Sequence, residues 1–366
     1  MWQATHGVQD HGDREHRFVS FRFVAAWVGR EASILDPGCF ALVMATGIIS
    51  NAFLLDGRRE VSDALFALNL VVYPWLWLLT ILRAARFGAA LRVDLLSPHR
   101  VFSFFTAVAA TDVLGIALGV RGLTTVALLM WLFALALWLA LIYIGFGVLL
   151  FVNTGNGAKV IEGGWLNAIV GTQSLVILGA QVALFRPDGG PKVLLLIYVL
   201  WVVGLALYGI FAALFSYRVF FCDLKPSDVN PIVWLIMGAA AISANAGATL
   251  VVGNSAIHFL KSIQPFVDAM TFAMWAWATW LLPLLVLLGL WKHGIHRMSI
   301  SYTPMLWCIV FPLGMYAVAS VRLSHIAAIP ALGSLSSGMA FIALAAWAAT
   351  GTALLVASWR SARAVE

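Results

Sequence analysis

Apolar residues gather into ten long runs along the chain, and short polar segments separate these runs. Of the 38 charged residues (Asp, Glu, Lys and Arg), 37 lie outside the runs, and only Asp112 lies inside one. A helix needs roughly 20 apolar residues to cross about 30 Å of hydrocarbon, whereas barrel strands are about ten residues long and alternate. The pattern therefore predicts ten membrane-spanning helices. The expected spans are residues 39–55, 64–82, 101–120, 123–151, 165–184, 193–217, 231–257, 269–291, 304–321 and 333–358.

The composition points to the same class of protein. Hydrophobic residues make up 62% of the 366 positions, charged residues make up 10%, and the mean hydropathy is +0.96. An ordinary soluble domain has about 25% charged residues, so this chain lacks the polar surface that a soluble globule needs. A cytosolic enzyme, a disordered chain and a disulfide scaffold are excluded. The predicted fold class is an all-α polytopic membrane protein.

Lysine and arginine are distributed unevenly between the two sides of the predicted bundle. The side that holds the N-terminus carries 15 of them and the opposite side carries 7. Because cytoplasmic loops carry the excess of positive charge, both termini are predicted to be cytoplasmic, in a plasma or inner membrane. The net charge of +6 reflects this topology. No nucleic-acid partner is predicted, since no basic stripe is interleaved with aromatic residues.

The chain divides into an N-terminal arm (1–35), a transmembrane domain (36–358) and a short cytoplasmic tail (359–366). No cleavable signal peptide is predicted, because no short apolar region precedes the first long run. Residues 18–30 of the arm combine aromatic and arginine side chains. That combination is typical of a helix lying in the inner membrane interface, and an arm packed on the bundle is the alternative.

Motifs for enzymatic chemistry are missing from the sequence. Cys39, Cys222 and Cys308 form no CxxC pair, and no HExxH, P-loop or GxSxG motif occurs. No histidine lies inside an apolar run, so a haem or metal held between facing helices is not expected. We predict no cofactor, no metal site and no catalytic activity.

Prolines mark the starts of several odd-numbered spans. The short loops predict five helical hairpins, each made of an odd-numbered span and the next one. Pro37, Pro98, Pro231 and Pro304 lie just before or at the start of odd spans, where a proline fixes the backbone without removing a needed N–H. Pro312 lies inside the ninth span, where it should kink the helix and free a carbonyl.

Polar residues inside the spans also favour the odd-numbered ones, and spans 4 and 6 have almost none. In lipid, polar side chains either join helices or face a cavity. We therefore predict an inner ring of odd helices and an outer ring of even ones, with ordinary hydrogen bonding between helices as the alternative explanation. Four glycines should allow close helix contacts in the inner ring: Gly47, Gly171, Gly238 and Gly314.

Asp112 is the charged residue inside a span. An ionised carboxylate at mid-membrane costs about 2.5–3.5 kcal/mol on insertion scales, so it should be paired, protonated or near water. We expect it to point away from the axis of the bundle, toward a neighbouring helix or a polar partner such as Thr111, Thr249 or Arg322. It is thus either a proton carrier or half of a structural ion pair with Arg322.

Five segments resemble one family of membrane transporters in order and spacing. They are DPGCFALVMATGIIS (36–50), SPHRVFSFFT (97–106), GGWLNAIVGTQSLVILGA (163–180), NPIVWLIMGAAAISANAGATL (230–250) and LWCIVFPLGMYAVAS (306–320). Together they are similar to the tellurite-resistance/dicarboxylate transporter family. That family includes bacterial tellurite-resistance permeases, fungal malate and sulfite transporters and plant slow-type anion channels.

The resemblance implies five hairpins in a quasi-fivefold arrangement, with the odd helices around a central pore. It also implies a homotrimer in membrane lipid that passes small inorganic or organic anions, with chloride, nitrate, sulfite, tellurite and malate all open. The family position of the occluding phenylalanine falls on Phe311, just before Pro312. The other residues predicted to line the pore or kink its helices are Pro37, Thr46, Gly47, Pro98, Thr111, Gly171, Thr172, Gln173, Gly238, Ser243, Asn245 and Gly314.

Two other functions compete with an anion channel. One is a proton-coupled exporter of dicarboxylates, sulfite or tellurite, with Asp112 as the proton carrier. The other is a membrane enzyme or redox protein. The odd spans contain no lysine or arginine, which favours weak anion binding and fast passage over tight capture.

Overall fold

The computed structural model of the protein describes residues 27–153, 163–185, 190–221, 225–226, 228–252 and 257–363, and within these ranges the chain is helical, with no strand. Ten long helices are labelled α1 to α10 in chain order. Their bounds are Ala41–Leu55 (α1), Arg59–Arg86 (α2), Phe105–Val120 (α3), Thr124–Gly147 (α4), Asn167–Phe185 (α5), Gly190–Phe221 (α6), Leu235–Val252 (α7), Gln264–Leu290 (α8), Trp307–Ala327 (α9) and Pro330–Arg363 (α10).

Each predicted span coincides with one of these helices, but their lengths differ from the prediction. Within the described ranges, nine helical segments are long and apolar enough to cross a membrane, and α1, with 15 residues, is shorter. Helix α2 begins at Arg59 instead of residue 64, and α9 continues to Ala327 instead of ending at 321. Arg322 is therefore inside α9. The expectation that the odd helices contain no basic residue is wrong at this position.

A short turn leads into every odd helix. Four-residue or shorter 3-10 helices precede α3, α5, α7 and α9 directly, and a turn at 37–40 precedes α1. Pro231 and Pro304 occupy the first positions of two of these turns, and the Asn230 side chain accepts a hydrogen bond from the Ile232 N–H at 3.1 Å. The predicted role of proline at helix starts is confirmed for this pair.

The N-terminal arm is described only in part. A helix occupies residues 27–34, so Trp27 and Arg30 of the predicted interfacial helix are helical. The remainder of that predicted segment, together with Cys222 and the last three residues of the tail, lies outside the described residues.

Burial separates the odd helices from the even ones. In the most apolar 18-residue window, 83%, 78%, 89% and 72% of residues are buried in the segments that contain α3, α5, α7 and α9. The corresponding fractions for the even helices lie between 17% and 39%. In α1, 12 of 15 residues are buried. The odd helices thus form the core, and the even helices present apolar side chains outward, as lipid requires.

Contacts between helices follow a repeated scheme. Each odd helix packs against the even helix that follows it, which makes five sequential hairpins. The odd helices also contact one another in the order α1, α3, α5, α7 and α9, and α9 returns to α1.

Aromatic donors connect each outer helix to the next inner one. Indole N–H groups donate from α4 to Thr172 on α5, from α6 to the Ser243 carbonyl on α7, from α8 to Ser320 on α9 and from α10 to Thr46 on α1. The fifth connection is a hydrogen bond of 2.9 Å between the hydroxyls of Tyr73 on α2 and Thr111 on α3. This repetition satisfies buried polar groups that lipid would leave unpaired. The aromatic side chains are Trp138, Trp201, Trp275, Trp347 and Tyr73.

The four predicted glycines lie at contacts between inner helices. A Cβ built on Gly47 would lie 2.5 Å from Val113 on α3, and one on Gly314 would lie 2.8 Å from Ile48 on α1. For Gly171 the nearest such contact is Phe105 on α3 at 3.1 Å, and for Gly238 it is Pro312 on α9 at 2.7 Å. Only glycine allows these backbones to approach so closely.

Candidate functional site

A cavity opens where the odd helices begin, and we call it the start cavity. Its volume is about 180 Å³. Every odd helix or the turn before it contributes to the lining, which includes Pro37, Gly38, Ser103, Thr106, Asn167, Ile232, Pro304 and Cys308. Five helix starts therefore converge on one space. Because each helix N-terminus has the effect of roughly half a positive charge, the backbone favours an anion here.

Charged side chains at the start cavity are largely neutralised by one another. Arg100 lines the cavity, and its guanidinium lies 2.5 Å from the Asp94 carboxylate and 3.8 Å from that of Asp36. Asp94 is buried and also accepts a hydrogen bond from the buried Arg83 at 2.5 Å. The attraction for anions at this end thus comes mainly from the helix starts.

A second cavity lies farther along the same five helices, in the direction of their opposite ends, and we call it the end cavity. Its volume is about 150 Å³. The lining again draws on all five odd helices and includes Ile48, Asn51, Val113, Ile116, Ser174, Ile177, Ile242, Asn245, Met315, Val318 and Arg322. The odd helices therefore run parallel, and the two cavities lie at different levels along them.

Phe311 lies between the two cavities on α9. Cys308 lines the start cavity and Met315 lines the end cavity. Phe311 is three residues after Cys308 and four before Met315, and this spacing places the three side chains on one face of a helix. Phe311 is completely buried. On α3 the matching level, between Thr106 and Val113, carries Ala109 and Ala110.

The neighbours of α9 fix which way this face points. Pro312 lies against Gly238 on α7, and Gly314 lies against Ile48 on α1. At about 100° per residue, Phe311 falls between these two directions, on the same arc as the cavity-lining residues of α9. Its side chain thus faces the interior of the ring. Helix α9 continues through Pro312, although proline offers no N–H to the carbonyl of Cys308.

Most of the predicted pore-lining polar residues point elsewhere. Thr46, Thr111 and Thr172 bond to outer helices through the aromatic donors described above, and Gln173 donates to the Trp201 carbonyl on α6 at 3.2 Å. The hydroxyl of Ser243 bonds within its own helix. Hydrogen bonding between helices, the alternative explanation for the polar bias, therefore applies to the three threonines and Gln173. Asn245, Pro37 and Gly38 do line a cavity, whereas Pro98 accepts from the Trp165 indole at its carbonyl.

Asp112 is completely buried, and its partner is not one that the sequence suggested. Its Oδ2 accepts a hydrogen bond of 2.6 Å from the Ser174 hydroxyl on α5, while its Oδ1 has no partner among the residues that the structure describes. The expectation was a neighbouring helix or a polar partner such as Thr111, Thr249 or Arg322. Thr111 bonds instead to Tyr73, and Thr249 bonds to the carbonyl of Asn245. Because Ser174 lines the end cavity, the carboxylate lies one side chain away from that space.

Sequence reasoning missed several residues that line the cavities. Arg322 lies in the end cavity instead of pairing with Asp112. Asn167 is 97% buried at the start cavity, and its Oδ1 has no hydrogen-bond partner in the described part of the chain. Asn167 and Ser174 were visible as polar residues in an apolar span, but without helix orientations that signal does not separate cavity residues from those that join helices.

Comparison with known proteins identifies relatives along most of the chain. The sequence matches the voltage-dependent anion channel family (SLAC1) over residues 35–355. An uncharacterized membrane protein of Mycobacterium tuberculosis is 37% identical over 150 residues, which are 41% of this chain and 75% of that protein. Two uncharacterized transporters of Methanocaldococcus jannaschii are 24% and 25% identical, covering 79% and 86% of this chain and 84% and 90% of the relatives.

The apolar helices and these relatives define a multi-pass membrane protein of the transporter and channel class. The chain belongs to the voltage-dependent anion channel family, since the match spans nearly the whole transmembrane part. The family resemblance predicted from the five sequence motifs is confirmed.

Proposed function

We propose that the protein passes small inorganic or organic anions across a cell membrane through the centre of its five odd helices, and that Phe311 closes this path. The observation that supports the proposal best is the position of Phe311. It occupies the inward face of α9 between a cavity at the helix starts and a cavity near the helix ends. The order of contacts among the odd helices supports a quasi-fivefold, ten-helix pore.

The physical role of Phe311 is that of a hydrophobic plug. A ring across a narrow path expels water, and an anion that crosses it loses hydration that no protein charge replaces. Anions on either side are favoured by different groups, the helix starts at one end and Arg322 at the other. The barrier therefore lies at the apolar level between them.

The remaining parts of the proposal are the assembly and the topology. The family resemblance implies a trimer with one pore per subunit, and we propose a homotrimer in membrane lipid for this chain. The excess of 15 lysines and arginines against 7 supports cytoplasmic termini in a plasma or inner membrane. With the N-terminus inside, the start cavity faces the cytoplasm.

Phe311→Ala tests the gate in sealed vesicles that contain the purified protein. Anion efflux should rise about tenfold or more, which corresponds to a barrier lowered by about 1.4 kcal/mol. The matched control is Phe53→Ala: Phe53 is equally buried on an inner helix but contacts Phe341 on α10. That variant should lose thermal stability and gain no efflux. A folded Phe311→Ala protein with wild-type efflux contradicts the gate.

A proton-coupled exporter of dicarboxylate, sulfite or tellurite is the second candidate function. The observation in its favour is the buried carboxylate of Asp112, which bonds to a residue of the end cavity. Proton-coupled export requires uptake or release of a proton within the membrane, and a buried carboxylate suits that task. Flux that follows a pH gradient and is absent under a voltage alone would favour the carrier over the channel.

A further inference from the structure

Arg322 differs from the other arginines that line or border the cavities. Arg83 and Arg100 are paired with Asp94, and Arg121, near the same end of the bundle as Arg322, is paired with Asp63. Arg322 has no ion pair within the described part of the chain, and its Nε, closed off from solvent, has no hydrogen-bond partner. A half-buried guanidinium without a counterion is costly. An anion supplied from outside the protein would remove that cost.

Asn245 provides a second and independent observation in the same cavity. Asn245 is 98% buried, and among the described residues its Oδ1 has no partner and its side chain makes one weak hydrogen bond, of 3.5 Å, to the sulfur of Met315. An amide offers two N–H groups and one carbonyl oxygen, and the assignment of its O and N is interchangeable. Buried amides normally satisfy most of this capacity. Asn245 therefore has hydrogen-bonding groups available to a ligand of the end cavity.

The field of the helices explains why a cation stands at this end. A helix C-terminus has the effect of roughly half a negative charge, and two of the inner helices, α1 and α3, line the end cavity with their last residues. That field repels anions. Arg322 opposes it from within the last two turns of α9. Asp112 does not line the cavity, because the Ser174 hydroxyl lies between.

We infer that the end cavity is a binding site for a small planar oxyanion or carboxylate, held by the Arg322 guanidinium with Asn245 beside it. A guanidinium presents parallel N–H donors that match two oxygens of nitrate or of a carboxylate, whereas a spherical halide accepts from only part of this fork. The cavity of about 150 Å³ has room for one such anion with a few waters. This inference rests on the proposed function, because it places the site at the far end of the proposed anion path.

Nitrate binding to the detergent-purified full chain tests the site without requiring conduction. The midpoint of thermal unfolding is followed as nitrate or chloride is added, since a ligand that binds the folded state raises it with concentration. In Arg322→Gln the apparent Kd for nitrate should rise at least about tenfold, as expected for lost hydrogen bonds to a charged group. Arg322→Lys keeps the charge and loses the fork, so it should keep chloride binding and lose the preference for nitrate.

The matched control is Lys261→Gln, which removes one exposed positive charge at the same end of the bundle and away from the cavity. It should bind nitrate as the wild type does. Wild-type affinity in Arg322→Gln, or a wild-type protein that nitrate does not stabilise, overturns the site. Nitrate binding that depends on Arg322 in a protein without anion flux would instead overturn the proposed function and leave the site standing.

Discussion

The two cavities show two different ways of attracting an anion. At the start cavity five helix N-termini supply a positive field, and the side-chain charges of Arg100, Asp94 and Asp36 largely cancel. At the end cavity the last residues of α1 and α3 supply a negative field, and Arg322, which has no ion pair among the described residues, opposes it. Because the five inner helices are parallel, the backbone cannot serve both ends. At the end cavity a side chain must therefore supply the positive charge that the helix N-termini supply at the start cavity.

The largest expected effect on stability distinguishes the paired charges near the start cavity from Arg322 at the end cavity. Asp94→Asn leaves the buried Arg83 without its carboxylate and should lower the free energy of unfolding by about 3–5 kcal/mol. Arg322→Gln removes a charge that has no counterion among the described residues, so the free energy of unfolding should stay the same or rise. Thermal unfolding in detergent at low anion concentration measures both. Equal losses would show that Arg322 is as firmly paired as Arg83.

A large but smaller effect is expected at the level between the cavities. Gly238→Leu forces a side chain against Pro312, where a Cβ alone would lie 2.7 Å from the ring, and should cost about 1–3 kcal/mol and abolish flux. The control is Gly209→Leu on α6, where a Cβ meets nothing within 4 Å. Yield, thermal stability and vesicle flux should separate the two variants. Equal tolerance would contradict the close approach of α7 and α9.

The positive charge of Arg322 predicts that anion current depends on salt concentration. One charge at about 6 Å in water changes the local anion concentration by roughly threefold, so Arg322→Gln in an open Phe311→Ala background should lower anion current by about that factor at low salt. The loss should fade at about 1 M salt, where the screening length is near 3 Å. A loss that is independent of salt would indicate a structural cause.

The smallest effect is expected at Asp112. The carboxylate lies behind Ser174 and outside both cavities, so Asp112→Asn should change conductance by less than about twofold. The measurement is current in the Phe311→Ala background across a range of pH. If the substitution abolishes flux driven by a pH gradient and leaves expression unchanged, the carrier becomes the better account.

The sequence was sufficient for the all-helical class and for the burial of the odd-numbered helices, because lipid leaves few alternatives for polar backbone and polar side chains. It did not place Arg322. Apolar composition stops at residue 321, but α9 continues to Ala327 and is followed by Ala328 with a φ of 53°. The left-handed position after a helix is usually a glycine, and that glycine predicts the helix end from sequence. An alanine at this position gives no such indication.

The orientation of polar side chains could not be predicted from the sequence, for a different reason. Thr46 and Asn245 are both polar residues in inner helices, yet one accepts from an outer tryptophan and the other lines a cavity. Their directions depend on how each helix is rotated against its neighbours. Contacts such as Gly238 with Pro312 and Gly314 with Ile48 set that rotation, and they join residues far apart in the chain.

Conductance and selectivity measured together in wild type and Phe311→Ala test the central claim most directly. Purified protein in a planar bilayer is exposed to chloride on one side and nitrate on the other, and the reversal potential gives their permeability ratio. If Phe311 is the barrier and the two cavities determine the selectivity, Phe311→Ala raises the conductance about tenfold or more. The permeability ratio of chloride to nitrate then stays the same. An unchanged conductance in a folded variant, or a tenfold rise accompanied by lost anion selectivity, would contradict a path closed by Phe311.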